Sequence, residues 1–82
     1  MTTNVTQEDG FINATYDSSN IVSSIYDTNN NTLHITFVKG NLTYRYDNVS
    51  FEDYVKLQDS ESTGKAFIEF IKNRYNGIRI LE

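Results

Sequence analysis

Cysteine, proline and tryptophan are absent from this 82-residue sequence, and histidine occurs once, as His34. Without thiols there is neither a disulfide framework nor a thiolate metal site, and a single imidazole excludes a His-rich metal centre. No cofactor is expected. With one imidazole, no thiol and no recognisable carboxylate pair, no nucleophile has its base, so a non-enzymatic protein is expected. No apolar run approaches the ~18–20 residues that span a bilayer, and residues 1–17 lack the basic-then-apolar order of a secretory leader. A soluble, cytoplasmic chain without a membrane partner is the expectation, and the sequons at Asn13, Asn41 and Asn48 then follow only from the abundance of Asn and Thr.

Positive charge is scarce as well. Seven Lys and Arg against eleven Asp and Glu leave a net charge of −4 and a pI near 4.8, whereas proteins that hold long polyanions neutralise each phosphate with Lys or Arg. Long duplexes fit poorly. A ligand with one or two phosphates needs only a local cluster of donors. What is plentiful, Asn, Ile, Tyr, Phe and Lys, is the bias of an AT-rich coding sequence, as in a low-GC bacterium or a phage.

Residues 1–17 read as a polar, flexible N-terminal arm, because Met1 to Gly10 offers only Met1 and Val5 against the ordering entropy; Phe11, Ile12 and Tyr16 are sticky enough to dock. The folded domain is expected over 18–76, with 77–82 a short tail or a fourth edge strand. That leaves roughly 65 residues to fold, a size at which a core is marginal and self-association helps. Asn20 to Tyr26 is β-branched and aromatic and ends at the turn-forming Asp27 to Asn31. Thr32 to Val38 alternates, with Leu33, Ile35 and Phe37 on one face. Gly40 supplies positive φ for a hairpin, and Leu42 to Tyr46 places Leu42, Tyr44 and Tyr46 opposite Thr43 and Arg45. Ser50 caps a first helix with Phe51, Tyr54, Val55 and Gln58 on one face. A second helix runs from about Ser62 to Tyr75 with Phe67, Phe70 and Ile71 in one stripe, and Gly77 stops it. The predicted architecture is α+β: a three-stranded antiparallel meander, with room for a short fourth strand, packed against two C-terminal helices.

Four segments carry a resemblance that periodicity alone does not: Ser18 to Ile21 with Tyr26-Asp27, Leu33 to Phe37 followed by Gly40, Tyr44-Arg45-Tyr46, and Ser62 to Phe67 leading to Ile71 and Arg74-Tyr75. In their order and spacing the sequence resembles the KTSC domain, found at the C-terminus of some lysyl-tRNA synthetases and as a stand-alone bacterial and phage protein. The resemblance implies a binding role, with RNA suggested for the family. This chain departs from the pattern in having Val49-Ser50 where Val-Pro is usual before the first helix, and Thr63, Ile68 and Glu69 where family members often place Lys, Arg or Asn. Those losses weaken the RNA expectation.

Each candidate contact has a plain alternative. Tyr44 and Tyr46 can stack bases while Arg45 meets a phosphate, or the rings are core residues, which interior-facing aromatics ordinarily are. Ser62, Thr63, Gly64 and Lys65 open a helix and suit a phosphate, or they are an ordinary cap; the spacing is not that of a Walker A loop. Phe67 joins this group. Arg74 reaches a second phosphate or pairs with Glu69 or Asp59. Ser19 and Asn20 hold the start of the first strand or hydrogen-bond a ligand. The function expected is binding of a small phosphate-bearing nucleotide by a homo-oligomer, as in a phage-encoded sponge for a cyclic di- or trinucleotide signal. An RNA- or tRNA-binding module and a protein-interaction domain are the alternatives.

Overall fold

The computed structural model describes residues 1–80; Leu81 and Glu82, the end of the expected tail, lie outside the described residues. Six strands form one antiparallel meander in chain order: β1 (Thr2–Glu8), β2 (Phe11–Tyr16), β3 (Ile21–Asp27), β4 (Thr32–Phe37), β5 (Thr43–Tyr46) and β6 (Gly77–Arg79). Between β5 and β6 the chain lays α1 (Phe51–Gln58) and α2 (Thr63–Ala66), which continues as a π-helical segment over Phe67–Lys72, onto one face of the sheet. The α+β class with an antiparallel sheet and two helices stands; among the described residues the strands number six, not three or four.

The first extra pair is the largest correction. Residues 2–16 are a hairpin, not a flexible arm, and its two-residue turn is Asp9-Gly10, both at positive φ (53° and 84°). That geometry matches the right-handed twist of the strands it joins, and Asp-Gly is among the dipeptides that adopt it. Ile12, Ala14 and Tyr16 of β2 enter the core, while β1 is polar because it lies at the sheet edge with both faces wet. At the other edge Gly77 begins β6 rather than ending a helix.

Leu33 and Ile35 are fully buried, as the alternation requires, and Gly40 takes φ 71° inside a short 3-10 turn (Lys39–Asn41). Ser50 caps α1 by accepting from the Asp53 N–H. The buried face of α1, however, is Asp53, Tyr54 and Leu57; Phe51, at 52 % exposure, meets the rings of Tyr26 and Tyr54 only at a tilt, at centroid distances of 6.1 and 6.4 Å. Beneath α1, Tyr26 and Tyr54 stack at 4.6 Å. Beneath the second helix, Phe67 meets Phe37 and Tyr46 edge-on at 5.3 and 5.8 Å.

Two features of this frame give measurable consequences. A Cβ on Gly77 would sit 2.7–2.9 Å from the Tyr46 ring, a ring that is itself buried and clamped by Phe67. Gly77→Ala is therefore expected to destabilise by about 1–3 kcal/mol through overpacking. An unchanged urea midpoint would mean that the ring gives way without cost.

Asp27, buried at the end of β3, accepts from the Asn30 side-chain amide and from the Asn29 and Asn30 N–H groups. The Asn30 amide foremost, then those backbone donors, hold its carboxyl below the ordinary value of 3.8 against an opposing desolvation. A depressed folded value stabilises the fold above that ordinary value, and the contribution is lost as pH falls through the folded value. Asp27→Asn should thus lower the denaturation midpoint at neutral pH and narrow the gap between neutral and acidic midpoints. An equal drop at both pH values would show that the carboxylate charge is not what the turn uses.

Candidate ligand-binding cleft

A cleft of about 560 Å³ opens where the ends of β4 and β5 face the second helix. Its walls are Phe37, Leu42, Tyr44, Tyr46, Phe67 and Ile68, and its polar rim is Ser19, Asn20, Lys39, Gly64 and Lys72. Phe37 and Tyr44 meet edge-on at 5.6 Å, which fixes one wall. Tyr46 lies at the floor; burial, and secondarily the neighbouring Tyr44, push its phenol up to about 12, so it stays neutral. Among the described residues neither Lys39 nor Lys72 forms an ion pair. Two lysines thus border an aromatic hollow.

Several expected contacts converge here. Ser19, Asn20, Tyr44, Tyr46, Gly64 and Phe67 all line the cleft. Ser18 Oγ accepts from the N–H groups of Asn20 and Ile21, and the Asn20 carbonyl accepts from Val38, so the Ser18–Asn20 loop is held against the end of β4. A Cβ on Gly64 would approach Asn20 Nδ2 to 3.0 Å, so glycine there lets helix and loop meet closely. Ser62, Thr63 and Lys65 line a smaller neighbouring hollow of about 330 Å³ that shares Ser19, Asn20, Gly64 and Ile68 with the first. Thr63 is buried and its Oγ1 accepts from the Met1 nitrogen at 2.7 Å. The Ser62 side chain makes no cap bond, and its N–H is taken by Ser60 Oγ.

The two candidate arginines lie elsewhere. Arg45 projects from the opposite sheet face, in register between His34 and Ile78, and its Nε donates to Asp47 at 3.0 Å. Arg74 donates to the buried carboxylate of Asp53 at 3.3 Å, not to Glu69 or Asp59, and Tyr75 donates its hydroxyl to the same group at 2.7 Å. These bonds tie the end of the second helix to α1.

Lys39, Lys72, Phe37, Leu42 and Ile68 are the lining residues that sequence reasoning missed. Lys39 adjoins the recognisable Gly40 turn and was within reach. Lys72 was within reach too, because it stands four and eight residues beyond Ile68 and Gly64, the spacing of one helical face, and all three line the cleft. In the π-helical segment the bonds run from i to i+5, as in Asn73 N–H to Ile68 O at 3.2 Å.

A six-stranded antiparallel meander with two helices on one face and a cleft at their junction defines a small α+β domain. The KTSC domain model matches residues 17–75, and the chain belongs to the KTSC domain family. It is also similar to the crystal structure of a KTSC domain protein from Yersinia pestis, at 29% identity and a TM-score of 0.77 over 84% of this chain and 96% of that one. No curated protein matches the chain.

Proposed function

We propose that this KTSC domain binds a small phosphate-bearing nucleotide in the cleft and holds it without transforming it. The observation that carries the reading is the pairing of aromatic walls with two lysines, Lys39 and Lys72, that line the cleft and form no ion pair among the described residues. An exposed base gains about 1–3 kcal/mol by stacking on an aromatic side chain, and a lysine meets phosphate as a point charge. Relative to the expected contacts, the phosphate role moves from Arg45 and Arg74 to Lys39 and Lys72, with Lys65 in the adjoining hollow. The net charge of −4 favours a short ligand over a long polyanion. Sequestration of a cyclic di- or trinucleotide signal by a homo-oligomer, in the manner of a phage sponge, falls within this reading.

A thermal-shift panel tests it, with nucleoside mono-, di- and triphosphates, cyclic di- and trinucleotides, and a short single-stranded RNA. A ligand present at a hundred times its Kd stabilises the folded state by about 2.7 kcal/mol, so a true ligand stands clear of the baseline. If no nucleotide raises the melting temperature, the reading is wrong. If only the RNA does, with steep salt dependence, the RNA-binding alternative replaces it.

A further inference from the structure

We infer that β1 is a self-pairing edge, at which a second copy of this chain adds an antiparallel β1 across a two-fold axis through Val5. The inference is independent of the cleft and its ligand. β1 is the terminal strand of the sheet, hydrogen-bonded to β2 alone, so the outward N–H and C=O groups of a seven-residue strand have no strand partner among the described residues. Folded proteins blunt such edges with lysine, proline, bulges or very short strands. The opposite edge is blunted in this way: β6 is three residues long and ends in Arg79. β1 carries no Lys, Arg or Pro, its single charge is Glu8 at one end, and its single irregularity lies at the other, between Thr2 and Asn4.

Val5 marks the axis. It stands opposite Ala14, whose side chain is 2 % exposed in the core, so Val5 points to the helix side of the sheet. Even so it is 41 % exposed, an apolar group on the covered face left uncovered at the edge. An axis through Val5 sets the two valines directly opposite each other, with Cβ atoms about 4.5–5.5 Å apart. It then pairs Asn4 with Thr6 of the second copy over the regular part of the strand, and brings Thr3 and Thr2 opposite Gln7 and Glu8 at its ends. Glu8 lies three residues from the axis, so the two carboxylates end up about 20 Å apart. Moving the axis toward Glu8 brings like charges together and loses pairs. Moving it toward Thr2 puts the irregular end at the centre of the pairing and loses pairs. A symmetric partner using one patch on both copies closes as a dimer and leaves no growing end at β1.

The absence of native cysteine makes the geometry testable by a single introduced thiol. Val5→Cys should oxidise rapidly to a disulfide-linked dimer, because cross-strand neighbours lie near the Cβ separation a disulfide needs. Gln7→Cys should not, because its two copies lie about 14 Å apart along the paired strands. In parallel, native mass spectrometry of the unmodified chain should report twice the 9.5 kDa chain mass, and Val5→Lys should give a monomer that keeps its far-ultraviolet circular dichroism. A monomeric unmodified chain at hundreds of micromolar overturns the inference, as does a dimer that survives Val5→Lys or equal cross-linking at positions 5 and 7. Should Val5→Lys fail to fold, the two cysteine variants still decide the case.

Discussion

Tyr26→Ala is expected to leave the chain largely unfolded at ambient temperature. Tyr26 is fully buried at the centre of the sheet, stacked on Tyr54 at 4.6 Å, and its hydroxyl donates to the Val49 carbonyl at 2.7 Å while accepting from the Asn31 side-chain amide at 2.9 Å. One side chain thus joins β3, the loop before α1, the β3–β4 turn and α1 itself. Truncating a buried aromatic to alanine costs about 3–5 kcal/mol, and an orphaned buried polar partner adds about 1–3 kcal/mol. Total stabilities run from about 5 to 15 kcal/mol, with small domains nearer the lower end. The sum is comparable to everything that holds the fold. Tyr26→Phe keeps the ring and deletes only the hydroxyl, so it should stay folded and lose about 1–3 kcal/mol. Circular dichroism with urea titration separates the three proteins. A folded Tyr26→Ala with a near-native midpoint would refute the assignment of Tyr26 as the hub of the core.

For binding, the largest effect is expected from reversing both rim lysines. In the Lys39→Glu/Lys72→Glu double variant, two attractive contacts to phosphate are removed and two repulsive charges take their place. Hydrogen bonds involving a charged group contribute about 1.5–3 kcal/mol each, and every 1.4 kcal/mol is tenfold in Kd, so affinity should fall by at least a hundredfold. The fold should survive, since neither lysine is paired in the described structure and surface changes of this kind usually stay within about 0.5 kcal/mol. Arg45→Glu, on the far side of the sheet, should bind almost normally. Calorimetric titration of all three proteins with the best nucleotide of the thermal-shift panel checks this. The opposite ranking, binding abolished by Arg45→Glu and kept by the double lysine variant, would move the site to the open sheet face.

The parts of the fold that were legible in the sequence share one property: their signals are local. Leu33 and Ile35 alternate with polar neighbours and are buried; Gly40 sits in a turn at positive φ; Ser50 caps the helix that follows it. Tyr46 in the core follows from its register with Leu42 and Tyr44 in the same way. β1 was illegible by composition because an edge strand with both faces wet needs no apolar residues. The local signal that did exist was Asp9-Gly10, which sets a hairpin turn whatever the strands contain. Phe51 misled because it falls on the same helical face as Tyr54, yet its place in the first turn carries it past the sheet.

For the candidate site, the sequence pointed to the Ser19–Asn20 loop, the Tyr44–Tyr46 strand and the Gly64–Phe67 helix start, and the cleft draws on all three. It did not show which cations belong there. Arg74 was spoken for by Asp53, a residue 21 positions away that no spacing rule connects to it.

By itself, then, the sequence determined the α+β class, the β3–β5 meander, the positions of both helices and membership in the KTSC family. It could do so because alternation, caps and positive-φ turns act over a few residues. Only the tertiary structure decided that the arm is a hairpin, that Gly77 starts a strand against Tyr46, and that Lys39 and Lys72, not the two candidate arginines, border the cleft. Those outcomes depend on sheet pairing and on ion pairs between distant positions, whose energies exist only once the chain has folded.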